Sequence, residues 1–310
     1  MCDATFTFGQ RGSHYFQSPS RRDYTRLPKK LHRLLTSSQI AQVYNVTLGF
    51  ENSFLITYQD KDGRDAIGSE GLPEELDDFV YATDPQNRSM RDIAQIRLTL
   101  GPQNSSFFVS DGQNYLWMNL PPRLFKALQS RIRDGAWFDK PRIVALGVDH
   151  NFLLITQKQS AVWDLSHYRT LAAMLEFSKS QEGDLEEVKS VNLHGYRYQG
   201  FVVQSSNGTL LHENLPQWSM EGITGMKEPI ARDSMEVEVR RRQADLQRRP
   251  SLRERNTSER AGRRELEQVA SLKRDWGKKK QLFEGKSKGL RVSLSLSISA
   301  GGIGFGKILR

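Results

Sequence analysis

Apolar and polar residues recur in one order five times along the first 220 residues. In each copy a strand-like alternation ends at or near a glycine, and an aromatic-rich apolar run follows. Four copies then have a Leu-Pro pair, and in three of these a leucine lies three residues after the proline. Four of these anchors are glycines and the fifth is a histidine, and successive anchors lie 40, 52, 46 and 47 residues apart. A repeat of this length is typical of propellers and stacked arrays. The first strands end at Phe8-Gly9, Leu48-Gly49, Leu100-Gly101, Leu146-Gly147 and Leu193-His194.

The third copy shows the elements of one repeat most clearly. The alternation in 96–100 predicts a strand with one buried face, and the apolar run 106–110 predicts a second, more buried strand. Asp111-Gly112 then precedes a third apolar run. This order predicts a hairpin with a type I′ turn, in which both central residues have positive φ. The same signal recurs at Asp62-Gly63 and Asn207-Gly208.

A short helix is predicted to end each repeat. Leu120-Pro121 opens it in the third copy, because proline at the first helical position loses no hydrogen bond. Leu124, Leu128 and Ile132 are spaced four residues apart and so share one helical face. The chain is therefore predicted to be mainly β with short helices: five β-β-β-α repeats over residues 1–228, arranged as a small five-bladed β-propeller. An open β/α array of the same repeats is the alternative.

The fourth copy also carries a family resemblance. Its segment 143–164 contains Val-Ala-Leu-Gly, Asp-His and Val-Trp, and it resembles the repeat of the regulator-of-chromosome-condensation propellers. The Leu-Pro helix is not part of that family's pattern. The five-fold period resembles that of small five-bladed lectin propellers, but their Trp-Gly-rich sugar-binding signature is missing. Both resemblances imply a propeller, and neither transfers functional residues to this chain.

Charge separates the chain into a body and a tail. Residues 1–230 hold 24 lysines and arginines against 26 aspartates and glutamates, whereas residues 231–310 hold 21 against 10, a net charge of +11. The patterns predict a charged, partly helical linker over 229–264, a basic amphipathic helix over 265–285 and an amphipathic strand or hairpin over 289–310. The charge of such a tail favours binding to an acidic surface, such as nucleic acid, anionic lipid or an acidic protein.

The tail holds the candidate partner-binding residues. Ser251 follows arginines two and three residues upstream, the pattern of a basic-directed kinase site, and its phosphorylation would oppose attraction to an acidic partner. The candidate partner-binding residues are Arg240, Arg241, Arg242, Arg248, Arg249, Trp276, Lys278, Lys279 and Lys280.

The segment 290–299 alternates five aliphatic residues with polar ones, which predicts a strand whose apolar face needs cover. We expect this strand to be ordered against the repeats or a partner. The first repeat is the candidate for it to complete, because that repeat has the poorest hairpin signal.

Few residues point to a reaction. The six histidines are not spaced as metal ligands, no nucleophile or phosphate-loop motif occurs, and Cys2 is the only cysteine. We therefore expect no catalytic, metal or cofactor site, and no enzyme activity. Trp117 and Trp163 occupy equivalent third-strand positions, which makes them candidates for a ligand platform.

These features favour a non-enzymatic interaction scaffold: a repeat domain that binds a protein partner, with a basic tail that adds electrostatic attachment. A carbohydrate- or small-ligand-binding propeller and a nucleic-acid-associated protein that acts through its tail are the alternatives. The N-terminus lacks the pattern of a signal peptide, and no apolar run is long enough for a membrane helix. We therefore expect an intracellular protein, cytoplasmic or nuclear.

Overall fold

The computed structural model of the protein describes residues 2–179, 185–248 and 295–297. These residues form a mainly β structure with five α-helices and six antiparallel sheets. The five larger sheets each pair their strands in chain order. In that order the strands of the first three sheets are β1 (Thr5–Phe8), β2 (His14–Gln17), β3 (Arg22–Thr25), β4 (Ile40–Leu48), β5 (Phe54–Asp60), β6 (Asp65–Glu70), β7 (Arg97–Leu100), β8 (Phe107–Ser110) and β9 (Tyr115–Met118).

The remaining strands form a small hairpin and the last two larger sheets. The hairpin pairs β10 (Ile132–Arg133) with β11 (Ala136–Trp137). The fourth sheet contains β12 (Pro141–Leu146), β13 (Phe152–Thr156) and β14 (Ala161–Asp164), and the fifth contains β15 (Val188–Leu193), β16 (Phe201–Ser205), β17 (Leu210–Glu213) and β18 (Ser295–Ser297).

One helix follows each larger sheet. In the four Leu-Pro repeats the proline carbonyl accepts the first helical hydrogen bond at 2.9–3.0 Å, so the proline precedes the first helical residue instead of occupying it. The fifth helix contains Pro229 and continues past the predicted domain boundary at residue 228. The helices are α1 (Lys29–Thr36), α2 (Glu74–Val80), α3 (Pro122–Gln129), α4 (Arg169–Lys179) and α5 (Gln217–Arg248).

Two expectations about the third repeat and its hairpin turn are wrong. Helix α3 ends at Gln129, and Ile132 belongs to β10 instead of the helical face. The Asp-Gly and Asn-Gly loops after β5, β8 and β16 span four residues, and only their glycines have positive φ, so these are not two-residue type I′ turns. The type I′ signature, positive φ at both central residues, occurs at Asp134-Gly135 between β10 and β11, where the loop has two residues.

Close packing explains the recurring glycine after the first strand of a sheet. A Cβ added to Gly9, Gly49 or Gly101 would lie 2.1–2.4 Å from the hydroxyl oxygen of the serine that ends the same turn. In each case the glycine N–H also donates to that serine's carbonyl, at 2.8–2.9 Å. At these three anchors a side chain would therefore displace the serine hydroxyl, which favours glycine.

Five buried hydrophobic clusters hold the sheets together. Each cluster combines residues of two sheets with residues of one helix, for example Leu31 of α1 with the first and second sheets. The fifth cluster joins the fifth sheet to the first: Val202 and Leu210 pack with Ile223, Met226 and Ile230 of α5 and with phenylalanines of β1 and β2. Burial of each of these three α5 side chains contributes about 1.5–3 kcal/mol.

The described part of the C-terminal strand pairs with the fifth sheet. Strand β18 runs antiparallel to β17, with Leu296 opposite Leu211. The expectation that this strand completes the first repeat is therefore wrong for residues 295–297. The third strand of the fifth sheet has an edge on which another strand can pair.

Candidate functional site

The first strands of the five larger sheets line one cavity of about 510 Å³. Successive first strands contact each other from β1 through β4, β7 and β12 to β15. Threonine hydroxyls link the first four at equivalent positions: Thr7 accepts from the N–H of Leu48 at 3.0 Å, and Thr47 and Thr99 donate to carbonyls of the following first strand at 3.1 and 2.9 Å. Because these bonds join similar positions of neighbouring first strands, the first strands run in the same direction. The turns that follow them therefore lie at one end of the cavity.

Three β-bulges lie at the other end of the cavity. The pairing register shifts at Tyr44 in β4, at Arg142 in β12 and at Lys189 in β15, each four residues before the last residue of its strand. A bulge changes the direction in which its side chain points. All three residues line the cavity, and Arg97 at the start of β7 joins them.

Arg97, Arg142 and Lys189 form what we call the basic mouth of the cavity. Arg97 donates to two nearby main-chain carbonyls at 3.0 and 2.9 Å, and Arg142 donates to two carbonyls at the start of the fifth sheet at 2.5 and 2.8 Å. Lys189 pairs with the carboxylate of Asp3 at 2.6 Å. Desolvation lowers the pKa of both arginines, and both remain cations.

The turn after β15 narrows the opposite end of the cavity. This turn, residues 194–200, carries Tyr196, whose hydroxyl oxygen accepts a hydrogen bond from the main chain of Gln103 in the turn of the third sheet. Burial raises the pKa of Tyr196 to about 12. The ring of His194 stacks on Phe8 at a centroid distance of 4.9 Å, which connects the fifth sheet with the first.

We call the five turns that follow the first strands the turn face. Each turn holds a residue other than glycine in the left-handed region, and the third and fourth turns each hold a second one, Asn104 and His150. The first such residues of the five turns are Arg11, Glu51, Gln103, Asp149 and Gln199, with φ between 48° and 59°. The first four of these side chains are exposed. A left-handed conformation costs a residue with a Cβ about 1–2 kcal/mol, and glycine would avoid that cost.

Side chains connect the turns into a continuous surface. Gln10 of the first turn accepts from a backbone N–H of the second at 3.3 Å, and Asn104 of the third turn accepts from another at 3.0 Å. Tyr198 of the fifth turn donates to the carboxylate of Asp149 at 2.9 Å, and His167 lies 3.4 Å from the same carboxylate.

A Ser-His-Asp arrangement lies beneath α5. His14 Nδ1 is 3.0 Å from Ser219 Oγ, and His14 Nε2 is 2.9 Å from Asp23 Oδ1. Ser219 and His14 are each 1% exposed, and burial lowers the pKa of His14. A nucleophile must reach its substrate, so this burial argues against covalent chemistry. The arrangement instead connects α5 to the first sheet.

None of the predicted site residues that the structure describes lines the cavity. Trp117 in β9 and Trp163 in β14 are opposite equivalent second-strand residues, as expected, but they pack against two different hydrophobic clusters. Arg240, Arg241 and Arg242 are exposed on α5, where the first and third of them pair with glutamates four residues earlier. Arg248 ends the helix, whereas Arg249, Ser251, Trp276, Lys278, Lys279 and Lys280 lie outside the described residues.

Sequence reasoning missed both the basic mouth and the turn face. The sequence did contain a signal for each set, a shared position within the repeat. Tyr44, Arg142 and Lys189 each lie four residues before the last residue of the first strand of their repeat. Likewise, Arg11, Glu51, Gln103 and Asp149 each lie two residues after the glycine anchor. Alignment of the copies on that anchor would have exposed both sets.

Within the residues that the structure describes, no group of three or more His, Cys, Asp or Glu side chains is arranged to hold a metal ion. No helix in this part of the chain is long and apolar enough to cross a membrane. No protein-family model matches the chain, and no curated protein matches it.

Proposed function

We propose that the protein is a non-enzymatic interaction scaffold that binds a protein partner through its turn face. In this proposal the five sheets are the blades of a closed β-propeller, and the basic tail adds electrostatic attachment to the partner or to another acidic surface.

Contacts between the fifth and first sheets support the closed ring. Helix α5 buries three apolar side chains between these sheets, and the hydrogen bonds of Ser219 and Asp23 to the buried His14 anchor it. Lys189 of β15 pairs with Asp3, two residues before β1. In an open array the first and fifth sheets would not contact each other.

The observation that carries the function is the left-handed residue in each turn of the turn face. A left-handed residue other than glycine recurs in all five turns, and Arg11, Glu51, Gln103 and Asp149 present four different exposed side chains from this conformation. Each is held in a conformation that glycine would adopt with less strain. Strain that persists at exposed positions indicates that the side chains serve recognition, and loops on a rigid scaffold commonly do so.

The test replaces these four residues with glycine in the full-length protein. The variant Arg11→Gly/Glu51→Gly/Gln103→Gly/Asp149→Gly keeps the turn conformation and loses only the exposed contacts of Asp149 with Tyr198 and His167, so its melting temperature should stay close to that of the parent. Crosslinked affinity purification should lose the proteins that the parent retains. The matched control is Asn87→Gly/Asp134→Gly, since both residues are left-handed and exposed but lie outside the turn face.

Partners that are kept by the parent and the control and lost by the turn-face variant would support the proposal. If the turn-face variant retains the same partners, its turns are not the recognition surface. Substitution of Lys278, Lys279 and Lys280 by Gln separates the role of the tail, because it should weaken binding and lower its salt sensitivity while leaving the identity of the partner unchanged.

A further inference from the structure

We propose that the basic mouth binds a small molecule that carries two or more phosphate groups. This site lies at the end of the cavity opposite the turn face, so the inference stands independently of the proposed protein partner.

The structure concentrates positive charge at this mouth. Arg97, Arg142 and Lys189 come from three consecutive sheets and all line the same cavity. Two of them reach it through bulges at the same repeat position, so the arrangement is a feature of the fold and not of one mobile loop. Guanidinium groups and lysine ammonium groups are the side chains that proteins use to bind phosphate.

Carboxylates neutralise this charge only in part. Among the described residues that line the cavity, Asp3 is the acidic one, and it pairs with Lys189. The side chain of Asp3 is 88% exposed, so an entering anion can displace it at little cost. Both arginines donate to main-chain carbonyls, which carry no net charge. The other carboxylates that act on them, Asp92 and Glu186, are exposed and lie outside the cavity lining.

The size and lining of the cavity favour a molecule larger than one phosphate ion. A volume of about 510 Å³ falls within the range of sites for small organic ligands. Gln95 and Gln157 line it and offer hydrogen bonds to hydroxyl or phosphate oxygens. The hydroxyl of Tyr44, which also lines it, donates to Asp65 at 2.6 Å. Leu98, Val144 and Leu146 line it further in and offer contacts to an uncharged part.

The test is isothermal titration of the full-length protein with tripolyphosphate, pyrophosphate and inorganic phosphate at one ionic strength. Tripolyphosphate should bind with one-to-one stoichiometry and more tightly than inorganic phosphate. Lys189→Gln and Arg97→Gln should each weaken its binding about tenfold, because each removes a charged hydrogen-bond donor. Lys189→Arg, which keeps the charge, should bind like the parent. Arg142 is left intact because its guanidinium satisfies two carbonyls of the neighbouring sheet.

Two controls separate the mouth from other cations. Arg33→Gln/Lys126→Gln removes exposed helical cations, and Lys278→Gln/Lys279→Gln/Lys280→Gln removes the lysine run of the tail. Both should bind tripolyphosphate like the parent. The inference is overturned if the parent binds tripolyphosphate no better than inorganic phosphate. It is also overturned if the mouth variants, with unchanged melting temperatures, bind like the parent, or if the tail variant alone loses binding.

Discussion

Two glycines in α5, three residues apart, provide a sharp test of how this helix packs on the first sheet. A Cβ added to Gly222 would lie 2.4 Å from Asp23 Oδ1 and 3.1 Å from His14 Nε2. A Cβ added to Gly225 would meet only the guanidinium end of Arg21, at 3.0 Å, which can move. Gly222→Ala and Gly225→Ala should therefore have opposite effects on stability.

The expected magnitudes follow from helix propensity and hydrogen bonding. Alanine is more favourable than glycine inside a helix by about 1 kcal/mol, so Gly225→Ala should raise the free energy of unfolding by up to about that amount. At Gly222 the carboxylate of Asp23 must move, which breaks its bond to the buried His14. Loss of a hydrogen bond to a charged group costs about 1.5–3 kcal/mol, so the net effect is a destabilisation of about 0.5–2 kcal/mol.

The assay is urea unfolding of the full-length variants, followed by circular dichroism. The unfolding free energies of the two variants should differ by at least about 1.5 kcal/mol. In an Asp23→Ala background the clash is gone, so Gly222→Ala should become neutral or stabilising. Equal stabilities of Gly222→Ala and Gly225→Ala would refute the packing of α5 on the first sheet, and with it the support for a closed ring.

Three further predictions concern acid, the glycine anchors and the C-terminal strand. Burial lowers the pKa of His194 and His212 to about 4 in the folded protein. The free energy of unfolding should therefore be at its maximum above about pH 6.5, the pKa of histidine in the unfolded chain. It should then fall towards pH 4 by about 1.4 kcal/mol per pH unit for each imidazole, and His194→Gln should flatten this slope in urea titrations. Gly147→Ala would place a Cβ 2.5 Å from the buried hydroxyl of Tyr168 and should lower the free energy of unfolding by about 1–3 kcal/mol, whereas a smaller loss would show that the ring can shift. Deletion of 290–310 should speed amide exchange in β17, and unchanged exchange would contradict the pairing with β18.

Features that depend on near neighbours in the chain could be predicted from the sequence. The apolar faces of strands and helices come from spacings of two to four residues, and the recurrence of the same signals about every 46 residues revealed the β-β-β-α repeat. The glycine anchor was visible as well, although its reason, the serine hydroxyl that occupies the space of a Cβ, required the structure. The type of hairpin turn was not predicted correctly, because Asp-Gly and Asn-Gly occur in loops of two and of four residues alike.

Only the tertiary structure decided which distant residues meet. The contact between His14 and Ser219 spans 205 residues, and no local pattern marks a serine in α5 as the partner of a histidine in β2. The same holds for the basic mouth, because a bulge moves a side chain to a different direction without changing the residue types around it. Local sequence determines the repeat because its signals act within one turn or one strand pair. The assembly of the sheets and the cavity between them depend on packing across the whole molecule. Many different apolar sequences can make the same packing contacts, so the sequence alone does not identify which residues meet.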